Sequence, residues 1–155
     1  MVKVCCGWQH TVVLDDRGRV WTMGANKYGQ LGWGWRDEER GREEEVAGLP
    51  RQVQWPAEVE GGLEGGWVED VASGWSPVLA KTRDGQVWGW GRNTFGQLAQ
   101  ESSSTATANP VPRRLLPLTG CLPDGARVRE IACGAESSVL IGDDWSVWAC
   151  GSAFF

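Results

Sequence analysis

The feature that most constrains the fold of this 155-residue chain is a stretch of 21 residues that occurs three times. The copies read VCCGWQHTVVLDDRGRVWTMG, VASGWSPVLAKTRDGQVWGWG and IACGAESSVLIGDDWSVWACG, and they align without a gap. Each holds two glycines 17 positions apart and a tryptophan three positions before the second glycine: Gly7, Trp21 and Gly24; Gly74, Trp88 and Gly91; Gly134, Trp148 and Gly151. Such self-similarity predicts one structural unit per copy.

The first two copies continue into a shared motif, Gly-x-Asn-x-aromatic-Gly-Gln-Leu. It covers Gly24 to Leu31, with Tyr28 and Gly29, and Gly91 to Leu98, with Phe95 and Gly96. Glycine and asparagine are turn formers, so the motif predicts the end of a strand and the turn that follows it.

Each unit has the pattern of short β-strands. Runs such as HTVVL and RVWTMG, or VLAKT and QVWGWG, are separated by polar turns with Asp and Gly, which is typical of hairpins. We expect about three strands per unit, and a fourth from RQVQWP or NPVPRRL in the connections. The repeated glycines would allow bends or close backbone approach, and the tryptophans would fill the space between neighbouring sheets. The predicted fold is all-β.

The copies and their connections divide the chain into five segments. They are repeat 1 (1–34), an acidic and glycine-rich connection with a candidate outer strand (35–66), repeat 2 (67–99), a Ser/Thr/Pro-rich connection (100–127) and a truncated repeat 3 (128–155). The copies are 67 and 60 residues apart, which suits a propeller blade better than a helical solenoid.

The stretch CGWQHTVVLDDRGRVWTMGANKYGQLGWG resembles the repeat of the regulator of chromosome condensation family. The resemblance covers residues 2–34, 68–99 and 128–155 and implies a β-propeller, which in this family typically has seven four-stranded blades. Residues 68–99 and 128–141 also look similar to repeats of the secretion-regulating guanine nucleotide exchange factor-like subgroup. The fungal relatives of that subgroup work with the diphthamide and Elongator tRNA-modification machinery.

The chain is short for a closed ring, because it holds fewer than three full repeats. An open fan of blades leaves sheet faces and strand edges exposed. We therefore expect a partial β-propeller of about three repeats. It would be a fragment of a seven-bladed ring, or a subunit whose ring is completed by self-association with another copy.

Composition narrows the classes of partner. The net charge is −5 with a pI near 4.9, which argues against nucleic acid. No apolar run approaches the roughly 20 residues that cross a bilayer, so we expect no membrane contact. Five cysteines without a Cys-x-x-Cys spacing indicate small buried side chains in a reducing, intracellular compartment, the cytoplasm or the nucleus. A metal site or a disulfide framework is the alternative.

Apart from this alternative for the cysteines, no motif in the sequence indicates covalent catalysis, a cofactor or a metal. His10 is the only histidine, and its position is occupied by Pro77 and Ser137 in the other copies. The aspartates that recur at the hairpin turns are expected to be turn formers. No phosphate-binding loop, zinc-protease helix or nucleophile elbow is present.

Three functions are consistent with this sequence. The first is a non-catalytic scaffold for protein partners, which would bind through Trp8, His10, Tyr28, Trp75 and Phe95. A second surface would be the acidic loop at Glu43, Glu44 and Glu45. The second function, implied by the resemblance, is guanine nucleotide exchange on a small GTPase; a tRNA-modification or diphthamide factor is another candidate partner.

The third function is ultraviolet-B reception, because the chain has eleven tryptophans and the plant photoreceptor is a tryptophan-rich member of the family. Two positions argue against ultraviolet-B reception. Gln9 stands where that receptor has an arginine, and in the third copy Ala135 occupies the position of Trp8 and Trp75.

Overall fold

Three antiparallel sheets follow one another along the chain, one for each copy of the repeat. The structure is a computed structural model that describes residues 3–34, 46–56, 68–99, 107–115 and 127–152. The first sheet has the order β1-β2-β3-β4, with strands Lys3–Cys6, His10–Leu14, Val20–Ala25 and Val46–Gln52. The second has the order β5-β6-β7-β8, with strands Val68–Ser73, Pro77–Thr82, Val87–Arg92 and Ala108–Arg114.

The third sheet has three strands within the described residues. They are β9 (Val128–Cys133), β10 (Ser137–Gly142) and β11 (Val147–Gly151), with β10 in the middle. The described residues contain no helix long and apolar enough to span a membrane. The predicted all-β class and the predicted hairpins are confirmed.

Aspartates that recur in the sequence close the repeated hairpin turn in the first and third sheets. Asp15 accepts hydrogen bonds at Oδ1 from the backbone N–H groups of Arg17 and Arg19, both at 2.9 Å. In the third sheet the Asp144 carboxylate accepts the N–H of Ser146 at 3.0 Å. A side chain that satisfies turn N–H groups fixes the point at which the strand reverses. The prediction that the recurring aspartates are turn formers is confirmed for Asp15 and Asp144, whereas in the second sheet the N–H of Gln86 donates to Thr82 Oγ1 at 3.1 Å.

The outer strand of the first sheet lies earlier than the RQVQWP stretch predicted. It runs over Val46–Gln52, and Val53 beyond it is buried while Trp55 packs against the same core. The equivalent strand of the second sheet, Ala108–Arg114, covers most of NPVPRRL. The apolar residues of RQVQWP therefore follow the strand and pack into the core.

The two cores lie between successive sheets. One lies between the first and second sheets and includes Val12, Val20, Val71 and Trp90. The other lies between the second and third sheets and includes Leu79, Leu98, Ile131 and Leu140. Each fully buried aliphatic side chain contributes about 1.5–3 kcal/mol to folding. We call the two contact regions the first seam and the second seam.

Strand burial follows from these two seams. Every residue of the central strand β6 is buried, because neighbouring sheets cover both of its faces. Strand β2 and strand β10 lie in the flanking sheets, and their residues alternate between buried and half-buried. The alternation reflects a sheet that is covered on one face among the described residues.

The second glycine of each copy is required by its backbone. Gly24, Gly91 and Gly151 have φ of 110°, 92° and 118°, a region that residues with a Cβ rarely enter. A Cβ at Gly91 would lie 2.0 Å from the carbonyl oxygen of Ser76. The expectation that these glycines allow close backbone approach is confirmed at this position.

Candidate functional site

The Gly-Gln-Leu turn of the first copy supplies one wall of the candidate site. Asn26 Oδ1 accepts the N–H of Leu31 at 3.0 Å, and Gln30 Oε1 accepts the N–H of Tyr28 at 2.8 Å. The same two bonds form in the second copy, from Leu98 to Asn93 and from Phe95 to Gln97, both at 2.9 Å. Because these amides satisfy the backbone internally, the turn holds its aromatic residue in one place.

Each turn also docks on the next sheet. The indole N–H of Trp90 donates to the carbonyl oxygen of Gln30 at 3.0 Å, across the first seam. At the equivalent place in the second seam, Cys150 Sγ lies 3.4 Å from the carbonyl oxygen of Gln97. The turn motif therefore fixes the position of one sheet relative to the next.

A second wall comes from the loop that follows the first strand of each sheet. The N–H of Trp8 donates to the carbonyl oxygen of Trp75 at 3.1 Å, and the N–H of Trp75 donates to that of Ala135 at 3.0 Å. The Trp8 and Trp75 rings are 5.7 Å apart between centroids and inclined by 52°. Trp8 is 72% exposed and Trp75 is 51% exposed. Two large indoles thus stand side by side at the surface.

These walls enclose a groove of about 390 Å³ at the end of the first seam. We call it the aromatic groove. Its lining residues are Trp8, Gln9, Lys27, Tyr28, Gln30, Trp75, Ser76 and Arg92. Three of the five residues proposed from the sequence for the main contact surface, Trp8, Tyr28 and Trp75, meet there.

Arg92 lies between the aromatic groove and the third sheet. Its Cζ is 5.0 Å from the Tyr28 ring centroid and 5.5 Å from that of Phe95. Its Nη1 donates to Glu136 Oε1 at 2.9 Å, and its Nε donates to Thr94 Oγ1 at 3.1 Å. These contacts hold the guanidinium in a fixed orientation. Phe95, which is 42% exposed, lies beside Arg92 and therefore next to the groove.

His10 does not reach this surface. It is only 4% exposed, and its Nε2 lies 2.8 Å from Ser73 Oγ across the first seam. Burial lowers the pKa of His10 to about 4, so the ring is neutral at pH 7. Its Nδ1 has no hydrogen-bond partner among the described residues. The structure thus places His10 between two sheets, which removes it from the contact surface predicted from the sequence. Glu43, Glu44 and Glu45 lie outside the described residues.

The repeated tryptophans are less buried than the sequence suggested. Trp148 packs against the core of the second seam. Trp21, by contrast, donates its indole N–H to Asp15 Oδ2 at 3.2 Å, and Trp88 meets Trp55 edge to face at 5.8 Å. All three are half-buried, whereas Trp90, whose position holds no tryptophan in the other copies, is fully buried.

The cysteines and acidic residues form no metal site in the part of the chain that the structure describes. Burial raises the pKa of Cys5 to about 11 and that of Cys133 to about 12, so both thiols are protonated at neutral pH. Cys6 is exposed, contrary to the expectation that the cysteines are buried. Cys121 is outside the described residues.

Lys27 and Arg92, the two cations of the groove, were not among the residues predicted from the sequence. Arg92 follows the second glycine of its copy, where the other copies have Ala25 and Ser152. Lys27 occupies the variable position of the turn motif, where the second copy has Thr94. The sequence signal for both cations is the difference between one copy and the others, because positions that all copies share belong to the framework.

The regulator of chromosome condensation (RCC1) repeat model matches residues 17–80 and 84–141, and a second model of that repeat matches residues 1–30 and 68–97. The Arabidopsis thaliana ultraviolet-B receptor UVR8 is 28% identical over 97% of this chain and 29% of its own length. The RCC1-like G exchanging factor-like protein of Mus musculus is 30% identical over 97% of this chain and 28% of its own length.

A solved structure agrees with the fold. Prp20p from Saccharomyces cerevisiae, described with its binding properties to Gsp1p and histones, matches with a TM-score of 0.70 and 29% identity. The match covers 98% of this chain and 31% of Prp20p. The chain therefore spans about three-tenths of the length of these proteins. With three propeller-type sheets, one per repeat, and family models that match most of its residues, this chain belongs to the regulator of chromosome condensation (RCC1) repeat family.

Proposed function

We propose that this chain is a non-catalytic protein-interaction module that binds its partner through the aromatic groove. The observation that carries the proposal is the exposure of Trp8 and Trp75, whose rings stand 5.7 Å apart at the mouth of the groove. Tryptophan, tyrosine and arginine are the residues most often responsible for binding energy at protein interfaces. The groove has all three.

The groove is also prepared for binding before a partner arrives. The turn amides hold Tyr28, and Glu136 holds Arg92. Side chains that are already ordered lose less conformational entropy on association. Because an indole can bury about 150–250 Å², covering two of them provides a large apolar contribution.

Site-specific cross-linking in the full-length protein tests this proposal. A photoreactive amino acid replaces the exposed Gln9 at the groove, or the exposed Arg17 at the opposite end of the β2–β3 hairpin. We expect partner cross-links from position 9 and few from position 17. The double substitution Trp8→Ala and Trp75→Ala should remove them, whereas Trp145→Ala, at an indole that is 66% exposed elsewhere, should not. Equal yields in all variants would contradict the proposal.

Guanine nucleotide exchange is the second candidate function. It is favoured by the similarity to the RCC1-like G exchanging factor-like protein and to Prp20p, whose binding to Gsp1p is described. Exchange requires a surface that competes for the nucleotide site and no covalent chemistry. Labelled GDP release from a panel of small GTPases, measured with the full-length protein, would be accelerated for at least one member. No acceleration for any member would remove this function for that panel.

Two further proposals concern the identity of the partner, in the cytoplasm or the nucleus, and the self-association of this chain. A diphthamide or tRNA-modification factor in the cytoplasm or nucleus would appear among the proteins cross-linked from position 9. Self-association would appear as a discrete dimer or trimer mass in light scattering. Cross-links from position 9 to a second copy of this chain would identify the groove as the self-contact.

A further inference from the structure

We infer that the aromatic groove accepts a peptide segment in which an acidic side chain lies next to an aromatic or aliphatic one. The inference rests on the proposed function, and it names the chemistry of the partner. It comes from the distribution of charge in the groove and from the neighbouring apolar surface.

The groove is positive in a chain that is negative overall. Its eight lining residues include Lys27 and Arg92 and no carboxylate, whereas the whole chain has a net charge of −5. A cleft lined by one sign of charge concentrates the field at its mouth and attracts a ligand of the opposite sign. The complementary ligand is therefore an anion.

Lys27 is the cation that can receive this anion. Its Nζ lies 5.7 Å from the Tyr28 ring centroid, and no carboxylate among the described residues forms an ion pair with it. Arg92, in contrast, already donates to Glu136. A carboxylate that entered beside Lys27 would gain an ion pair without displacing an existing one, while Arg92 would add donors in a fixed orientation.

The amount of charge argues for a peptide rather than a polyanion. Glu136 compensates the charge of Arg92, so the single uncompensated positive charge at the groove is that of Lys27. Nucleic-acid surfaces neutralise many phosphates and need a wide basic stripe. One lysine matches one acidic side chain.

The apolar part of the ligand is specified by the indoles. Trp8 and Trp75 present exposed ring surface directly beside the cations. A volume of about 390 Å³ is near the lower end for ligand sites, which suits two or three side chains. An acidic residue beside an aromatic or aliphatic residue fills this space and pairs both kinds of surface.

Binding of defined peptides tests the inference. Three labelled probes, Gly-Ser-Asp-Trp-Asp-Ser-Gly and its versions with Asn or Lys in place of Asp, are titrated with the full chain by fluorescence anisotropy. We expect the Asp probe to bind about fivefold more tightly than the Asn probe at low salt, and the Lys probe to bind least. Raising the salt should reduce the difference between the Asp and Asn probes.

Charge reversal at matched positions provides the control. Lys27→Glu should abolish the preference for Asp over Asn. Arg17→Glu changes the net charge by the same amount at the opposite end of the hairpin and should preserve it. Equal binding of the Asp and Asn probes, tighter binding of the Lys probe, or no binding of any probe at about 1 mM would overturn the inference. The cross-linking experiment at position 9 does not depend on probe charge, so it would still show whether the groove binds a partner of another chemistry.

Discussion

The first and second seams have the same pattern of backbone hydrogen bonds but differ in their side chains. The N–H of Trp8 bonds to Trp75 at 3.1 Å in the first seam, and the N–H of Trp75 bonds to Ala135 at 3.0 Å in the second. In both seams the carbonyl oxygen of the turn glutamine receives a donor from the next sheet. The repeated positions thus specify how one sheet packs on the next.

The side chains at the equivalent positions give the two seams opposite surface chemistry. The first seam has Lys27 and Arg92, where the second has Thr94 and Ser152. The first has Trp75 and Ser76, where the second has Ala135 and Glu136. The groove of the first seam therefore has cations and no carboxylate, while the equivalent positions of the second have a carboxylate and no cation. In this protein the repeat provides the framework, and the differences between copies create the candidate site.

Removing the side chain that donates to the turn glutamine, Trp90 in the first seam or Cys150 in the second, should show how much each seam contributes to stability. Trp90→Ala removes a fully buried indole and leaves the carbonyl oxygen of Gln30 without its partner. We expect it to lower the free energy of unfolding by about 3–5 kcal/mol. Cys150→Ala, at the equivalent position, removes one half-buried atom and should cost about 1 kcal/mol. Urea denaturation followed by circular dichroism measures both, and equal losses would contradict this difference between the seams.

The sequence predicted the framework much better than the site. Alternation of apolar residues and the turn aspartates are local signals, so most strands of the three sheets could be predicted from them. Tyr28 and Trp75 are 47 positions apart and line the same groove only because of how two sheets pack, which no local pattern encodes. His10 was predicted among the contact residues, but strand alternation turns it inward towards Ser73.

The first seam should also respond to pH, because only this seam contains a histidine. The pKa of His10 is about 4 in the folded chain and near 6.5 in an unfolded one. Since the unfolded chain binds the proton first, stability is complete above pH 6.5 and falls as the pH drops towards 4. The expected loss is about 2 kcal/mol between pH 7 and pH 5. Urea denaturation across this range should show the loss in the wild type and not in His10→Gln. Parallel losses in both proteins would assign the effect to other groups.

The smallest effect on stability is expected at the residue with the largest proposed role in binding. Trp8 is 72% exposed, so Trp8→Ala should change the free energy of unfolding by less than about 0.5 kcal/mol. It should nevertheless weaken the exciton signal in far-ultraviolet circular dichroism, because it removes the contribution of the Trp8–Trp75 pair and leaves that of Trp55 and Trp88. Ala135→Trp should do the reverse, because it places an indole beside Trp75 in the second seam and should strengthen that signal. A large loss of stability in Trp8→Ala would mean that the indole supports the fold, and the difference between the two seams would then be structural rather than functional.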